Sequence, residues 1–384
     1  MHFPGLKKPD IHEEVNEVFM HNFVKSLGLS LVSIFIPMYL MDSAGFTILQ
    51  VGMFFLFYYI ADLLVTIPCY HLSSRIGYKK VALLSAPFLV GYYFLLQSFS
   101  DPTLLYLATA VGATGKSLYW AGMNPETAMS THEDKRDSEV GIFYSMPTLA
   151  SIISPVIGGL IVAGFSYNLL FIVTGLLVGA SFVPLFFSEE HSEGLETDLM
   201  SSFSWDYIED FLTYFFNGAE SIGKRLLWPL FLVLIIEGSV DLGVAGGLKS
   251  LGAAITSIAI GRITDDDNRP RVISSGVLVS VLMFFALYTV TDPLTATALS
   301  FVFGLGRTAI TMSAFEKALE NAEKEDYLEY FAFRGTALNL GRLSMIGVIV
   351  GSYYLTQNLI TSVIVMNASI ILFGYFLIKI SQRK

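Results

Sequence analysis

The sequence predicts an all-α membrane protein with twelve transmembrane helices in two pseudo-symmetric six-helix bundles. The chain has 384 residues, of which 53% are hydrophobic and 15% are charged, whereas soluble domains carry about 25% charged residues. The apolar residues form continuous runs of roughly 20, the length at which a helix crosses the hydrocarbon core. A transmembrane β-barrel would instead show alternation over segments of about ten residues.

The composition also excludes several classes of function. The net charge of −10 argues against nucleic acid as a partner. The single cysteine, Cys69, excludes a disulfide framework and a cysteine metal site. The six histidines have no metal-ligand spacing. We therefore expect no metal, no other cofactor and no enzymatic activity.

Twelve apolar runs succeed one another along the chain. The first begins after acidic rather than basic residues and is too long for a signal peptide. The predicted spans are 17–41, 49–70, 81–99, 103–124, 140–165, 169–187, 208–236, 240–261, 272–290, 294–314, 328–355 and 359–380.

The longest polar connection, at 188–205, separates six spans from six. It contains five acidic residues and no lysine or arginine. We expect an N-terminal six-helix bundle at 1–187, a cytoplasmic linker at 188–205 and a C-terminal six-helix bundle at 206–384.

The distribution of lysine and arginine predicts the orientation. With the N-terminus in the cytoplasm, fifteen of the 23 basic residues lie on the cytoplasmic side, none lies in the short outer loops, and eight lie inside spans. Because positive charge is retained on the cytoplasmic side, we expect both termini there. The prediction is a multi-pass protein of the cell (inner) membrane.

The two halves repeat polar motifs at corresponding places. Gly115-Lys116-Ser117 in span 4 matches Gly306-Arg307-Thr308 in span 10. A second set of four residues in span 1 recurs at the same spacing in span 7, namely Asn22, Lys25, Ser26 and Gly28 against Asn217, Glu220, Ser221 and Gly223. The repetition indicates duplicated bundles, the parallel-repeat plan of transporters.

Two motifs resemble those of the major facilitator superfamily. The loop after span 2, HLSSRIGYKK at 71–80, resembles the family's signature loop. Tyr70 and Ser74 stand where the family has glycine and aspartate, and the loop after span 8, GRITD at 261–265, keeps both. Span 5 resembles the family's antiporter-associated pattern through Gly141, Pro155, Gly158 and Gly159. From the residues alone we expect Gly77 to adopt a positive φ and Gly158-Gly159 to allow close helix packing.

The resemblance implies alternating access, with spans 1, 4, 7 and 10 facing a central cavity. It also implies gating roles for Arg75 and Asp265 in the two loops. With no nucleotide-binding module, transport would draw on an ion or substrate gradient.

Ten charged residues lie inside the predicted spans and away from their ends. Each costs about 2.5–3.5 kcal/mol at the bilayer centre, so they are expected in a water-filled cavity or a bundle interface. The two acids are Asp62 and Glu220, and the eight basic residues are Lys25, Lys116, Lys224, Arg225, Lys249, Arg307, Arg334 and Arg342.

The resemblance places Lys25, Lys116, Glu220 and Arg307 in the cavity. Lys116 and Arg307, facing each other, would clamp an anion such as a carboxylate or phosphate ester. Alternatively, both cations pair internally, with Asp62, Glu126 or backbone carbonyls. Further candidates for substrate binding are Asn22, Asn217, Tyr119 and Trp120.

The acids have alternatives of their own. Glu220 pairs with Lys224 at i+4, meets Lys25 across the bundle interface, or carries the proton of a coupled cycle. Asp62 is expected to form an inter-bundle pair with Arg334, and Arg342 shares the helix face of Arg334.

The sequence thus predicts a secondary active transporter that moves a small anionic solute by alternating access. The alternative is a proton-coupled exporter of amphipathic or drug-like compounds, acting through Glu220 or Asp62. A receptor on the same fold, without net flux, is the candidate from another class. The expected partners are the small-molecule substrate, a proton or counter-substrate, and the lipid bilayer around a monomer.

Overall fold

A computed structural model describes residues 11–97, 102–130, 136–186, 207–263, 268–324 and 326–382. Side chains are described within these ranges except at 11–19, 102, 128–130, 136–146, 261–263 and 323–324. The whole linker predicted at 188–205 and Asp265 lie outside them, so the predicted domain boundaries stay predictions.

All regular structure in these ranges is helical, which confirms the predicted all-α class. The first half contains α1 (Ile11–Val32), α2 (Phe35–Asp42), α3 (Ile48–Ile76), α4 (Tyr78–Leu96), α5 (Pro102–Ser130), α6 (Arg136–Gly164) and α7 (Tyr167–Ser181). The second half contains α8 (Ile208–Ile222), α9 (Trp228–Ile235), α10 (Ser239–Ile263), α11 (Arg269–Thr289), α12 (Pro293–Lys324), α13 (Tyr327–Thr356) and α14 (Ile360–Ser381).

The fourteen α-helices of the described ranges correspond to the twelve predicted spans, because two of the spans are each divided into two helices. Span 1 consists of α1 and α2, and span 7 consists of α8, a π-helical turn at Gly223–Leu227, and α9. Nine helical segments in the described ranges are long and apolar enough to cross a membrane. The other three spans are α5, α8–α9 and α13, which carry many of the buried charges.

The helix contacts repeat between the halves. In the first half, span 1 packs on spans 5 and 6, span 4 on spans 2 and 3, and span 3 on span 6; in the second half, span 7 packs on 11 and 12, span 10 on 8 and 9, and span 9 on 12. The main contacts between the halves are α3 with α13 (spans 2 and 11) and α6 with α10 (spans 5 and 8). These two contacts are equivalent when each span is matched with the span six places away. The predicted pseudo-symmetry of two six-helix bundles is therefore confirmed.

Two adjacent glycines allow α6 to pack closely against one helix of each bundle. A Cβ on Gly158 would collide with the carbonyl of Leu31 in α1, and a Cβ on Gly159 would collide with the carbonyl of Ser239 in α10. The Ser239 hydroxyl donates to the Gly159 carbonyl at 3.1 Å. Adjacent glycines thus serve two different interfaces, one within the first bundle and one between the bundles, as close packing of membrane helices requires.

The loop between α3 and α4 turns at a single glycine. Gly77 has φ +100° and ψ +152°, a conformation that side-chain-bearing residues rarely adopt. The expected positive φ of Gly77 is confirmed.

At the end of the molecule where the first helix begins and the last helix ends, a buried apolar cluster joins the two bundles. Cys69, Tyr70 and Leu118 come from the first half, and Tyr214 and Phe315 are among the members from the second half. The cluster and the α6–α10 contact hold the bundles together on either side of the space described next.

We expect Gly159→Leu to force α6 and α10 apart and to lower the free energy of unfolding by about 1–3 kcal/mol, the usual cost of overpacking. The measurement is the thermal midpoint of the purified protein in detergent. Gly164→Leu on the same helix is the matched control, because a Cβ there meets nothing within 4 Å. Equal midpoints for the two variants would contradict the assigned contact.

Candidate functional site

A cavity of about 530 Å³ lies between the bundles and is lined by helices of both. Its volume falls in the range of small-molecule sites. The lining contains no aspartate or glutamate among the residues described, and it contains six basic residues: Lys25, Lys116, Lys224, Arg225, Lys249 and Arg307.

The π-helical turn positions two of these cations. Lys224 and Arg225 are consecutive within Gly223–Leu227, and both belong to the cavity lining. Their side chains are exposed although α8 and α9 on either side are largely buried. Single π turns inside α-helices occur frequently at functional sites.

Lys116 pairs with Asp62. The ammonium group of Lys116 on α5 contacts Oδ2 of Asp62 on α3. The Ser117 hydroxyl donates to Asp62 Oδ1 at 2.6 Å, and the Asp62 side chain is 1% exposed. Of the alternatives for Lys116, internal pairing with Asp62 is the one present in this conformation.

The expected Asp62–Arg334 pair is wrong for this structure, because Arg342 takes that place. Arg342 Nη1 lies 3.9 Å from Asp62 Oδ2, and Arg342 Nε donates to Ser221 Oγ at 3.2 Å. Asn339 Nδ2 adds an inter-bundle hydrogen bond to Thr66 Oγ1 at 2.9 Å. Asp62 thus joins α3 and α5 of the first bundle to α13 of the second.

Arg334 lies two helical turns away, at the apolar cluster. Its guanidinium carbon is 5.3 Å from the ring centre of Tyr214 and 5.7 Å from that of Phe315. Its Nε is buried without a hydrogen-bond acceptor. Arg334 therefore faces the apolar contact between the bundles rather than the Asp62 carboxylate.

Arg307 pairs with Glu220, a combination that the sequence did not suggest. Arg307 Nε on α12 donates to Glu220 Oε1 on α8 at 2.7 Å. The two alternative partners of Glu220, Lys224 and Lys25, form no ion pair with it in this part of the chain, so both expectations are wrong for this conformation. Glu220 Oε2 is buried without a partner.

Lys25 is held by aromatic rings instead of a carboxylate. Its Nζ lies 2.9 Å from the ring centre of Tyr119 and 5.2 Å from that of Trp120, within the range of cation–π attraction. The Tyr119 hydroxyl donates to Asn22 Oδ1 at 3.2 Å and lies 3.1 Å from His21 Nε2. Asn22 and His21 therefore orient the ring on which Lys25 rests.

Four of the six cavity cations have no carboxylate within ion-pair distance among the described residues: Lys25, Lys224, Arg225 and Lys249. Lys249 Nζ lies 4.0 Å from the ring centre of Trp228. Lys224, Arg225, Lys249 and Arg307 all line this cavity from the second bundle. The unpaired positive charge is therefore concentrated on the second bundle.

The predicted substrate-binding residues fall into two groups. Lys25, Lys116, Arg307, Tyr119 and Trp120 line the cavity, whereas Asn22 and Asn217 are buried outside its lining. Arg75 is exposed in the last turn of α3.

Sequence reasoning did not assign Lys224, Arg225, Lys249 or Trp228 to the cavity. Lys224, Arg225 and Lys249 had been counted among the charges inside the spans. The sequence did contain a signal for Lys249. Neither Asp62 nor Glu220 lies three or four residues from it, so neither can pair with it within one helix.

The profile of the Major Facilitator Superfamily matches residues 18–236 and 211–383. The chain belongs to this superfamily. It is accordingly a multi-pass membrane protein of a transporter superfamily.

Two curated relatives of this superfamily member are transport proteins. A multi-drug resistance efflux pump PmrA homolog of Lactococcus lactis subsp. lactis (strain IL1403) is 25% identical over 240 residues, which are 59% of this chain and 58% of the relative. A Na(+), Li(+), K(+)/H(+) antiporter of Planococcus maritimus is 26% identical over 126 residues, 31% of this chain and 30% of that protein. The chain matches less than two thirds of the length of either relative.

Solved structures show the same fold for this transporter. The human organic anion transporter MFSD10 (TETRAN) superposes with a TM-score of 0.68 at 13% identity, covering 96% of this chain and 100% of that one. The transporter FucP in the outward conformation gives a TM-score of 0.68 at 14% identity, covering 96% and 99%. At these identities the likeness concerns the fold alone.

We expect Asp62→Asn to lower the free energy of unfolding by about 3–5 kcal/mol, because Lys116 and Arg342 lose their buried carboxylate. The measurement is thermal unfolding in detergent. The double variant Asp62→Asn/Lys116→Met removes both charges and should recover part of the loss. Additive losses in the double variant would show that the two side chains do not interact.

Proposed function

We propose that this transporter is a secondary active carrier that moves a small organic anion across the cell membrane by alternating access. The observation that carries the proposal is the composition of the cavity, whose described lining has six basic residues and no acidic one. Both termini are placed in the cytoplasm on the distribution of lysine and arginine, and the working unit is a monomer.

The energetics of the unpaired charges support an anionic substrate. Each charge held at membrane depth costs about 2.5–3.5 kcal/mol when nothing compensates it. Lys116 and Arg307 have Asp62 and Glu220 as partners, but the other four cavity cations have no carboxylate within ion-pair distance among the described residues. An anion that enters the cavity supplies the missing negative charge.

Arg307 remains a candidate substrate contact despite its ion pair. It donates to Glu220 through Nε alone, so the two terminal nitrogens of its guanidinium group are available to a carboxylate or phosphate. Lys116 acts with it as a point charge. Lys25 contributes a third positive charge, supported by Tyr119 and Trp120.

The gating roles follow from contacts between the bundles. Asp62 and Arg342 bridge α3 and α13 in this conformation, and Arg334 lies at the apolar cluster of the two bundles. Separation of the bundles on that side would break these contacts. Arg75 and Asp265, in the loops after spans 2 and 8, are assigned to the same movement.

In proteoliposomes, we expect uptake of labelled dicarboxylates or phosphate monoesters but not of their neutral analogues. The double variant Glu220→Gln/Arg307→Gln removes a cation without leaving an unpaired acid, and should reduce uptake at least about tenfold. Arg271→Gln, on an exposed position, is the control and should transport normally. Full activity in the double variant would exclude Arg307 as a substrate contact, and equal uptake of anionic and neutral compounds would contradict the proposed function.

The second candidate is a proton-coupled exporter of amphipathic compounds. It is favoured by the similarity to an efflux pump homolog and by the buried, unpartnered Oε2 of Glu220, which can carry a proton. Positive charge in the cavity favours amphipathic anions over amphipathic cations in this case as well.

For coupling through Glu220, we expect an imposed pH gradient to drive transport of an amphipathic anion in the wild type and not in Glu220→Gln, which cannot release a proton. The measurement is dye flux in vesicles with and without the gradient. Glu237→Gln, on an exposed position, is the matched control. Gradient-driven flux that persists in Glu220→Gln would exclude Glu220 as the coupling carboxylate.

A further inference from the structure

The four unpaired cavity cations are distributed unevenly between the bundles. The first bundle contributes Lys25, which rests on Tyr119 and Trp120. The second contributes Lys224, Arg225 and Lys249, all in the lining of one cavity. In addition, Arg307 of the second bundle keeps two guanidinium nitrogens outside its bond to Glu220. The second bundle therefore carries most of the uncompensated charge.

The three cations of the second bundle come from two directions. Lys224 and Arg225 project from the π-helical turn between α8 and α9, and Lys249 projects from α10. The ring of Trp228, one turn after Lys224, lies under the Lys249 ammonium group at 4.0 Å from its centre. Trp228 is almost fully buried, which restricts Lys249 to the cavity side of the ring.

We propose that Lys224, Arg225 and Lys249 form a subsite for a doubly charged head group, such as a phosphate monoester or a dicarboxylate. Three cations in the lining of one cavity repel one another, and a single negative charge leaves two of them uncompensated. A dianion offers an acceptor to each, through charge-assisted hydrogen bonds. The inference rests on the proposed anion transport and adds to it the valence of the substrate and the bundle that recognises it.

The opposite wall fits the rest of the ligand. A cavity of about 530 Å³ holds a molecule of drug size rather than an inorganic ion alone. Across it lie Tyr119 and Trp120, and Trp120 is 39% exposed. The ligand inferred here therefore joins a dianionic head on the second bundle to an apolar or aromatic body on the first.

A pair of probes with one ring system and different valence tests this inference. Naphthyl phosphate carries two negative charges at about pH 8, since the second pKa of a phosphate monoester is about 6, and naphthalenesulfonate carries one. We expect the full-length protein in detergent to bind the phosphate at least about tenfold more tightly. Binding is measured by the ligand-dependent shift in thermal midpoint and by tryptophan fluorescence.

Lys249→Met is the informative variant, and Lys25→Met is its matched control. Each removes one unpaired cavity lysine that lies over an aromatic ring, but they belong to opposite bundles. We expect Lys249→Met to abolish the preference for the phosphate, mainly by weakening phosphate binding. Lys25→Met should weaken both probes by a similar factor and keep the preference. Lys224→Met provides a second variant with the same expected loss.

The outcomes separate this inference from the function on which it rests. Equal affinity of the wild type for the two probes, or an unchanged preference in both Lys249→Met and Lys224→Met, overturns the dianion subsite and leaves anion transport standing. Loss of preference in Lys25→Met but not in Lys249→Met overturns the assignment to the second bundle. If the protein binds neither probe, the proposal that the cavity binds anions is contradicted.

Discussion

The constraint on which this structure depends is that a charge inside a membrane protein needs an opposite charge, a π face or water. Away from the ends of the predicted spans, basic residues outnumber acidic residues by eight to two. The two acids pair with Lys116 and Arg307, and aromatic rings support Lys25 and Lys249. What remains uncompensated lies on a cavity wall, because lipid would not accept it. The location of the cavity and the location of the excess charge therefore have the same cause.

Most of the fold could be predicted from the sequence, since span length, loop charge and repeated motifs depend on local composition. The breaks within spans 1 and 7 were not predicted, because an interrupted helix, such as the π turn of span 7, changes hydrogen bonding without changing hydropathy. The site was predicted less completely. Lys116 and Arg307 were placed correctly on the cavity, since the repeat marks both. Their partners were not fully predicted, because pairing depends on helix rotation: Arg342 rather than Arg334 lies near Asp62.

The duplicated architecture has acquired different chemistry in its two halves. The repeated motif carries lysine at 116 and arginine at 307, and the partner acid comes from span 2 in one bundle and from span 7 in the other. Lys25 of the first half corresponds to Glu220 of the second. The backbone thus keeps its pseudo-symmetry while the cavity walls differ, since the first bundle supplies most of the aromatic lining residues and the second supplies most of the basic ones. Such a cavity can bind a ligand with two unlike ends in a single orientation.

The positive cavity also bears on the permeability of the membrane. A carrier whose halves separate on one side at a time exposes a hydrated path close to the centre of the bilayer, where a stray sodium ion or hydronium would dissipate the electrochemical gradient. Fixed cations on the wall raise the electrostatic barrier for such ions, as an arginine does in channels that exclude protons. Lys224 and Arg225, exposed at the π turn, extend that barrier into the open space. Under the proposed function, the residues that favour an anionic substrate would also keep the membrane impermeable to cations during the transport cycle.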